Sequence, residues 1–154
     1  MQEIALEKVI HPDLLVVGSK SKTKTEVINE LGQCLEKSGY VSDAQKFITD
    51  VYLREEEGVT GIGQGVAIPH GKSQAVKDTT IAMAILEEPI EWETLDDEPV
   101  EVVIMFAVKD SDANTTHVLL LQQVAILLAN DYFIQQIKQV DSATELYQLV
   151  INFN

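Results

Sequence analysis

Cysteine occurs once in this chain, at Cys34, so no internal disulfide can form, which fits a reducing cytoplasm. Cys34 falls on the apolar side of a predicted helix and reads as a small core residue. No hydrophobic stretch is long enough to span a bilayer. The longest, Val118 to Ala129, is broken by Gln122 and Gln123. A signal-peptide pattern is missing from the N-terminus. Positive charge is also short: 11 Lys and Arg stand against 25 Asp and Glu, a formal net charge of −14. That balance argues against nucleic acid and anionic membrane surfaces, which reward positive patches, and is compatible with a basic protein partner. Arginine occurs only at Arg54, tryptophan only at Trp92, and histidine only at His11, His70 and His117.

What is present suffices for one domain. The chain has 154 residues, 45% of them hydrophobic, enough for a real core. No repeat, linker or low-complexity stretch divides it, so residues 1–154 are expected to form a single domain. Met1 and a helix reaching nearly to Asn154 favour a complete small protein or a cleanly bounded domain. Whether it is a free protein or a piece of a larger chain is left open.

Elements alternate along the sequence. Residues 4 to 17 read as one or two extended pieces. Thr23-Lys24-Thr25-Glu26 is a capping box, followed by Val27, Ile28, Leu31, Cys34 and Leu35 at helical spacing until Gly39. Ser42 to Gln45 repeats the capping pattern before a second helix that ends near Gly58. Strands are predicted at Val66 to Ile68, Thr79 to Leu86 and Val100 to Val108, the last nearly all apolar and β-branched. Glu87 to Pro99 is an acidic connection carrying Trp92; eight carboxylates and no basic residue between 87 and 101 read as a solvated loop. A helix follows from about His117 to Asn130, then a short one capped by Asp131 and a last one opened by Ser142. Alternating helices and strands argue an α/β layered fold.

The chemistry concentrates in Gly61-Ile62-Gly63-Gln64-Gly65-Val66-Ala67-Ile68-Pro69-His70-Gly71-Lys72-Ser73. A glycine-rich loop and a short apolar strand deliver His70 into a bend between Pro69 and Gly71, where little bulk should surround its ring. Lys72 and Ser73 add a cation and a hydroxyl suited to an anion, most naturally a phosphoryl group. A nucleotide P-loop is excluded because Val66 stands where its first glycine belongs, and Pro69 removes a backbone donor. The dinucleotide fingerprint fails at Val66 too, and the segment runs from loop into strand rather than from strand into helix.

The other candidates are weighed against plainer roles. His11, at a strand boundary before Pro12, is expected to be structural. His117 starts a helix after Asn114, Thr115 and Thr116, where the helix dipole disfavours a charged ring and leaves a neutral hydrogen-bond donor. Alone, it would read as a surface or capping residue. Arg54 ends the second helix just before the glycine loop. It is either an ordinary C-terminal cation paired to Glu55, Glu56 or Glu57, or a planar fork for phosphoryl oxygens. No ligand spacing supports a metal site. A hydrolase nucleophile elbow and a calcium-hand loop are absent as well.

Arg54-Glu55, then Gly58-Val59-Thr60-Gly61-Ile62-Gly63, then Gly65 through Lys72, resembles the signature of the fructose/mannitol-type IIA components of the bacterial phosphoenolpyruvate-dependent sugar phosphotransferase system. Ile90-x-Trp92, Pro99-Val100 and His117 before a leucine-rich helix match as well, and the likeness runs from about residue 4 to 150. The resemblance implies a mixed β-sheet flanked by helices on both faces and a cytoplasmic phosphotransferase component without metal or cofactor. It implies that His70 takes a phosphoryl group from the phosphohistidine of the carrier HPr and passes it to a IIB domain for sugar uptake, fructose-type rather than mannitol-type. Arg54 and His117 would flank the phosphoryl group. Thr60, Gly61 and Ser73 are weaker candidates to donate hydrogen bonds to it. Ile62, Val66 and Ile68 would be partly core and partly a docking face. Two other readings stand beside this one: a regulatory, nitrogen-type IIA whose phosphorylation sets binding to a target protein, and a non-catalytic interaction domain with a structural His70.

Overall fold

The computed structural model describes residues 6–112 and 116–153, with only the backbone described at 112, 116 and 117. The sheet is organised about Val100–Lys109, here β6. Val102, Ile104, Phe106 and Val108 pack into one apolar cluster, while Val103, Met105 and Ala107 pack into the other. Both faces are covered, which is why this strand reads as an unbroken apolar run instead of alternating.

On one side β6 pairs antiparallel with β5, Thr80–Ile90, and β5 pairs parallel with β1, Ile10–Ser19. On the other side β6 receives two short strands in line, β3 (Val66–Ala67) and β4 (His70–Ser73), both parallel to it. β2, Gly61–Gly63, folds back antiparallel on β3. The result is a mixed sheet of six strands. Helices α1 (Lys24–Lys37) and α2 (Ala44–Glu55) cover one face, and α3 (Thr116–Leu128), α4 (Asp131–Ile137) and α5 (Ala143–Asn152) cover the other. The α/β class and its layering agree with the sequence reading.

The differences are local and have visible causes. Thr23 caps α1 as expected, but the Glu26 carboxylate reaches back to the Lys22 amide at 2.6 Å. Asp43, not Ser42, caps α2, because Ser42 is tied through its amide and hydroxyl to the Ala75 carbonyl. Asn130, not Asp131, caps α4. β5 runs on to Ile90, which still pairs with Val100 across a register shift. Among the described residues no single helix is long and apolar enough to cross a membrane.

Candidate functional site

β3 and β4 are two pieces of one line. Val66 pairs with Val102 and His70 with Phe106, the same offset of 36 residues on β6. Ile68 and Pro69 form the gap. There the Ile68 amide donates to the Thr60 carbonyl at 2.9 Å, away from β6, and the Pro69 carbonyl accepts from Phe106 at 2.9 Å. The Ile68 carbonyl faces the imidazole of His70, 2.8 Å from Nδ1. A carbonyl only accepts, so Nδ1 carries the hydrogen and Nε2 carries the lone pair.

His70 is 6% exposed and lies 6.0 Å, ring to ring, from Phe106. Burial pushes its pKa below the ordinary 6.5. The Ile68 carbonyl opposes that shift, the Arg54 guanidinium adds to it, and Glu55 and Glu57 oppose it. Burial therefore favours the neutral ring, with its lone pair on Nε2.

The openness expected from the sequence is not what Gly71 provides. A Cβ there would stand 2.8 Å from Val51 Cγ2 and 2.9 Å from Phe47 Cε1. The missing side chain admits α2 against β4. That approach sets the last turn of α2, with half-buried Arg54, within electrostatic range of His70. The Arg54 guanidinium is otherwise held only loosely, donating to the Gly58 carbonyl at 3.5 Å.

The glycine loop is a two-residue hairpin between β2 and β3 with positive φ at both central residues, Gln64 (57°) and Gly65 (81°). The acidic connection braces it from outside. Asp96 accepts from the Gln64 amide at 3.0 Å, the Leu95 amide donates to the Gly61 carbonyl at 3.0 Å, and the Trp92 indole donates to the Thr60 hydroxyl at 3.2 Å. Glu93 and Thr94 fill the space where a Gly61 side chain would go. Sequence reading treated 87–101 as a solvated loop and missed this; the lone Trp92 amid carboxylates was the signal.

Thr60 is 2% exposed; its hydroxyl donates to the Glu55 carboxylate, with O–O distances of 2.7 and 3.0 Å. Ser73, also 2% exposed, accepts from the Ala75 amide through its hydroxyl at 3.1 Å. Lys72, which precedes Ser73 on β4, is exposed. Gly61 is confined between Ala67 and Thr94. His117 lies in the first turn of α3, and its side chain is outside the described ones; Asn114 and Thr115 lie outside the described residues. Val66 is fully buried and belongs to the core, whereas Ile62 and Ile68 are half-buried. Among the described residues no three His, Cys, Asp or Glu side chains converge as a metal site.

A neutral imidazole oriented by the main chain beside one guanidinium suits a protein that handles a small anionic group at a single histidine. The chain belongs to the phosphotransferase-system EIIA type 2 family: the family model described as "Phosphoenolpyruvate-dependent sugar phosphotransferase system, EIIA 2" matches residues 8–153. It is 37% identical over 142 residues, 92% of its length, to the 2-O-alpha-mannosyl-D-glycerate-specific EIIABC component of Escherichia coli, covering 22% of that protein. It is 32% identical over 131 residues, 85% of its length, to the fructose-specific EIIABC component of Bacillus subtilis, covering 20% of it. The chain thus spans about a fifth of the length of these two relatives. A nitrogen regulatory protein of Pseudomonas aeruginosa is 28% identical over 97% of this chain and 96% of its own. Among solved structures, nitrogen regulatory protein IIA-Ntr of Neisseria meningitidis superposes with a TM-score of 0.85 at 26% identity, covering 94% of this chain and 97% of its own. The mannitol enzyme IIA of Escherichia coli, solved in complex with phosphorylated enzyme IIB, shares the fold at TM-score 0.75 and 23% identity over 90% of this chain and 94% of its own.

Proposed function

We propose that this protein is a phosphocarrier in which Nε2 of His70 accepts a phosphoryl group from the phosphohistidine of HPr and passes it to a IIB domain. The observation that carries this reading is the 2.8 Å contact from Nδ1 of His70 to the Ile68 carbonyl, which leaves the lone pair on Nε2. In the transfer the donor's N–P bond breaks and its ring nitrogen keeps the bonding pair. A new N–P bond forms at Nε2, and the hydrogen stays on Nδ1. The ring gains positive charge as that bond forms, and the Ile68 carbonyl lies on the N–H where that charge is felt. The transition state is loose and in line, so positioning and charge stabilisation do most of the catalysis. Arg54 binds the equatorial oxygens, and neutral His117 donates a hydrogen bond to the phosphoryl group or holds His70 in register. Exposed Leu53, Val59 and Leu95 adjoin Arg54, Thr60 and the loop brace, and supply apolar contact for two successive partners.

The EIIABC relatives are named as components of a 2-O-alpha-mannosyl-D-glycerate-specific and a fructose-specific system, and we assign this chain to sugar uptake of fructose type. A regulatory role is the second reading, favoured by the fold likeness to IIA-Ntr at TM-score 0.85. Incubation with phosphoenolpyruvate, enzyme I and HPr, followed by intact mass, tests the carrier step. Wild type gains one acid-labile phosphoryl group and His70→Ala gains none; no gain by wild type overturns the proposal. Adding fructose-type IIB then separates the two roles, since an uptake carrier discharges onto it and a regulator keeps its phosphoryl group.

A further inference from the structure

A line of polar contacts runs from the surface to the ring of His70. Lys24 Nζ lies 2.7 Å from Glu55 Oε1, in an ion pair whose carboxylate side is only 7% exposed. The other oxygen, Oε2, takes the Thr60 hydroxyl hydrogen at 2.7 Å. The same hydroxyl accepts from the Trp92 indole, and the Lys24 ammonium sits 5.0 Å from the centre of the Trp92 ring. Thr60's carbonyl then accepts the Ile68 amide, and Ile68's carbonyl accepts Nδ1–H of His70. Each link is buried or half-buried, where hydrogen bonds hold geometry more firmly than in water.

We propose that Glu55 and Thr60 are positioning residues for phosphoryl transfer: they hold the Ile68 peptide in the β3–β4 gap and thereby fix the orientation and tautomer of His70. This rests on the phosphocarrier reading and moves Thr60 from contacting the phosphoryl group to holding the ring. Residue Ile68 needs such an anchor because neither its N–H nor its C=O is spent on β6. The Ala67–Ile68 peptide is held through its N–H by Thr60, and the next peptide, Ile68–Pro69, faces His70 with its C=O, so the backbone at Ile68 joins the two contacts. Thr60 in turn is fixed by a carboxylate on α2, the helix that carries Arg54. One residue pair therefore ties the guanidinium's helix to the imidazole's strand, and Glu55 follows Arg54 directly.

The test compares wild type with Thr60→Val, Thr60→Ser, Glu55→Gln and the double variant Glu55→Gln/Thr60→Val. Two readouts are used: single-turnover transfer from phospho-HPr, and the tautomer of His70 by long-range proton–nitrogen NMR of the unphosphorylated protein. Thr60→Val and Glu55→Gln should each slow transfer at saturating phospho-HPr by about 10- to 100-fold, the scale of a misplaced reacting group, with little change in half-saturation. Both should show mixed tautomers where wild type shows Nδ1–H. Thr60→Ser restores most of the rate, and the double variant is no slower than the slower single, because both cut one tether. Folded variants with wild-type rate and a pure Nδ1–H tautomer overturn the inference. If wild type accepts no phosphoryl group, the carrier reading fails; the tautomer measurement still decides whether the tether orients His70. Should Thr60→Val fail to fold, Glu55→Gln decides alone by the same two readouts.

Discussion

The carbonyl oxygen of Ile68 lies 2.8 Å from Nδ1 of His70, two residues further along the same chain. That contact puts the ring's hydrogen on Nδ1 and its lone pair on Nε2. Its setting is a buried one, which lowers the pKa, and the carbonyl recovers only part of that loss.

Phosphoryl acceptance should therefore persist into mildly acid solution. If His70 is the acceptor we propose, its neutral form accepts, so the rate from phospho-HPr should fall with decreasing pH at an apparent pKa below the ordinary 6.5. The linked stability has the same sign. The unfolded chain binds the proton more readily, so this group's contribution is fully present above pH 6.5 and declines as pH falls through the lower folded value. Titrating His70 by NMR alongside the transfer rate checks both, and a midpoint above 6.5 contradicts them.

Arg54→Lys keeps the charge but loses the planar fork, and Arg54→Gln loses both. Transfer should slow by about 10²-fold or more in Arg54→Gln, with Arg54→Lys recovering only part of the loss. The His70 pKa should rise in Arg54→Gln, since a cation that now depresses it is removed. Equal rates for Lys and Arg at this position would exclude bidentate binding.

Gly71→Ala places a methyl group 2.8 Å from Val51 Cγ2 and 2.9 Å from Phe47 Cε1, inside a packed helix–strand contact. Overpacking of this kind costs about 1–3 kcal/mol, read by denaturant unfolding. Transfer should fall as well, because α2 carries Arg54 away from His70 when it is displaced.

Asp96→Ala should free the Gln64 amide, whose hydrogen bond to that carboxylate helps hold a non-glycine residue at φ 57°. Faster hydrogen exchange at Gln64, with a slower transfer rate and an intact core, is the expected pattern. Unchanged exchange would show that β2 and β3 hold the turn unaided.

Much of this fold is legible in the sequence. An unbroken apolar run marks β6 and apolar periodicity marks α1, and the caps at Thr23 and Ser142 are legible because their side chains meet amides only three residues away. Ser42 and Asp131 are the expected caps, yet Asp43 and Asn130 take the role: neighbouring polar residues compete for one cap, and Ala75, which ties up Ser42, is distant in sequence. The glycine loop and His70 stood out as a motif. Its surroundings did not: Gly71 was read as open space when the space is filled by Phe47 and Val51. The run of carboxylates from 87 to 101 suggested solvent, yet Trp92, Leu95 and Asp96 are each spent on residues about 32 positions earlier. Local patterns carry local partners, and these partners are set by the sheet.

β3 and β4 keep one phase against β6 across Ile68 and Pro69, of which only the Pro69 carbonyl bonds to β6. Side chains on a strand alternate faces with every residue. Inserting or deleting a single residue between Ala67 and His70 would turn the imidazole to the opposite side of the sheet while leaving every side chain of the motif in place. Substitutions here can be graded in effect, but indels are all or nothing: the spacing itself is a coded quantity, and its tolerance is zero.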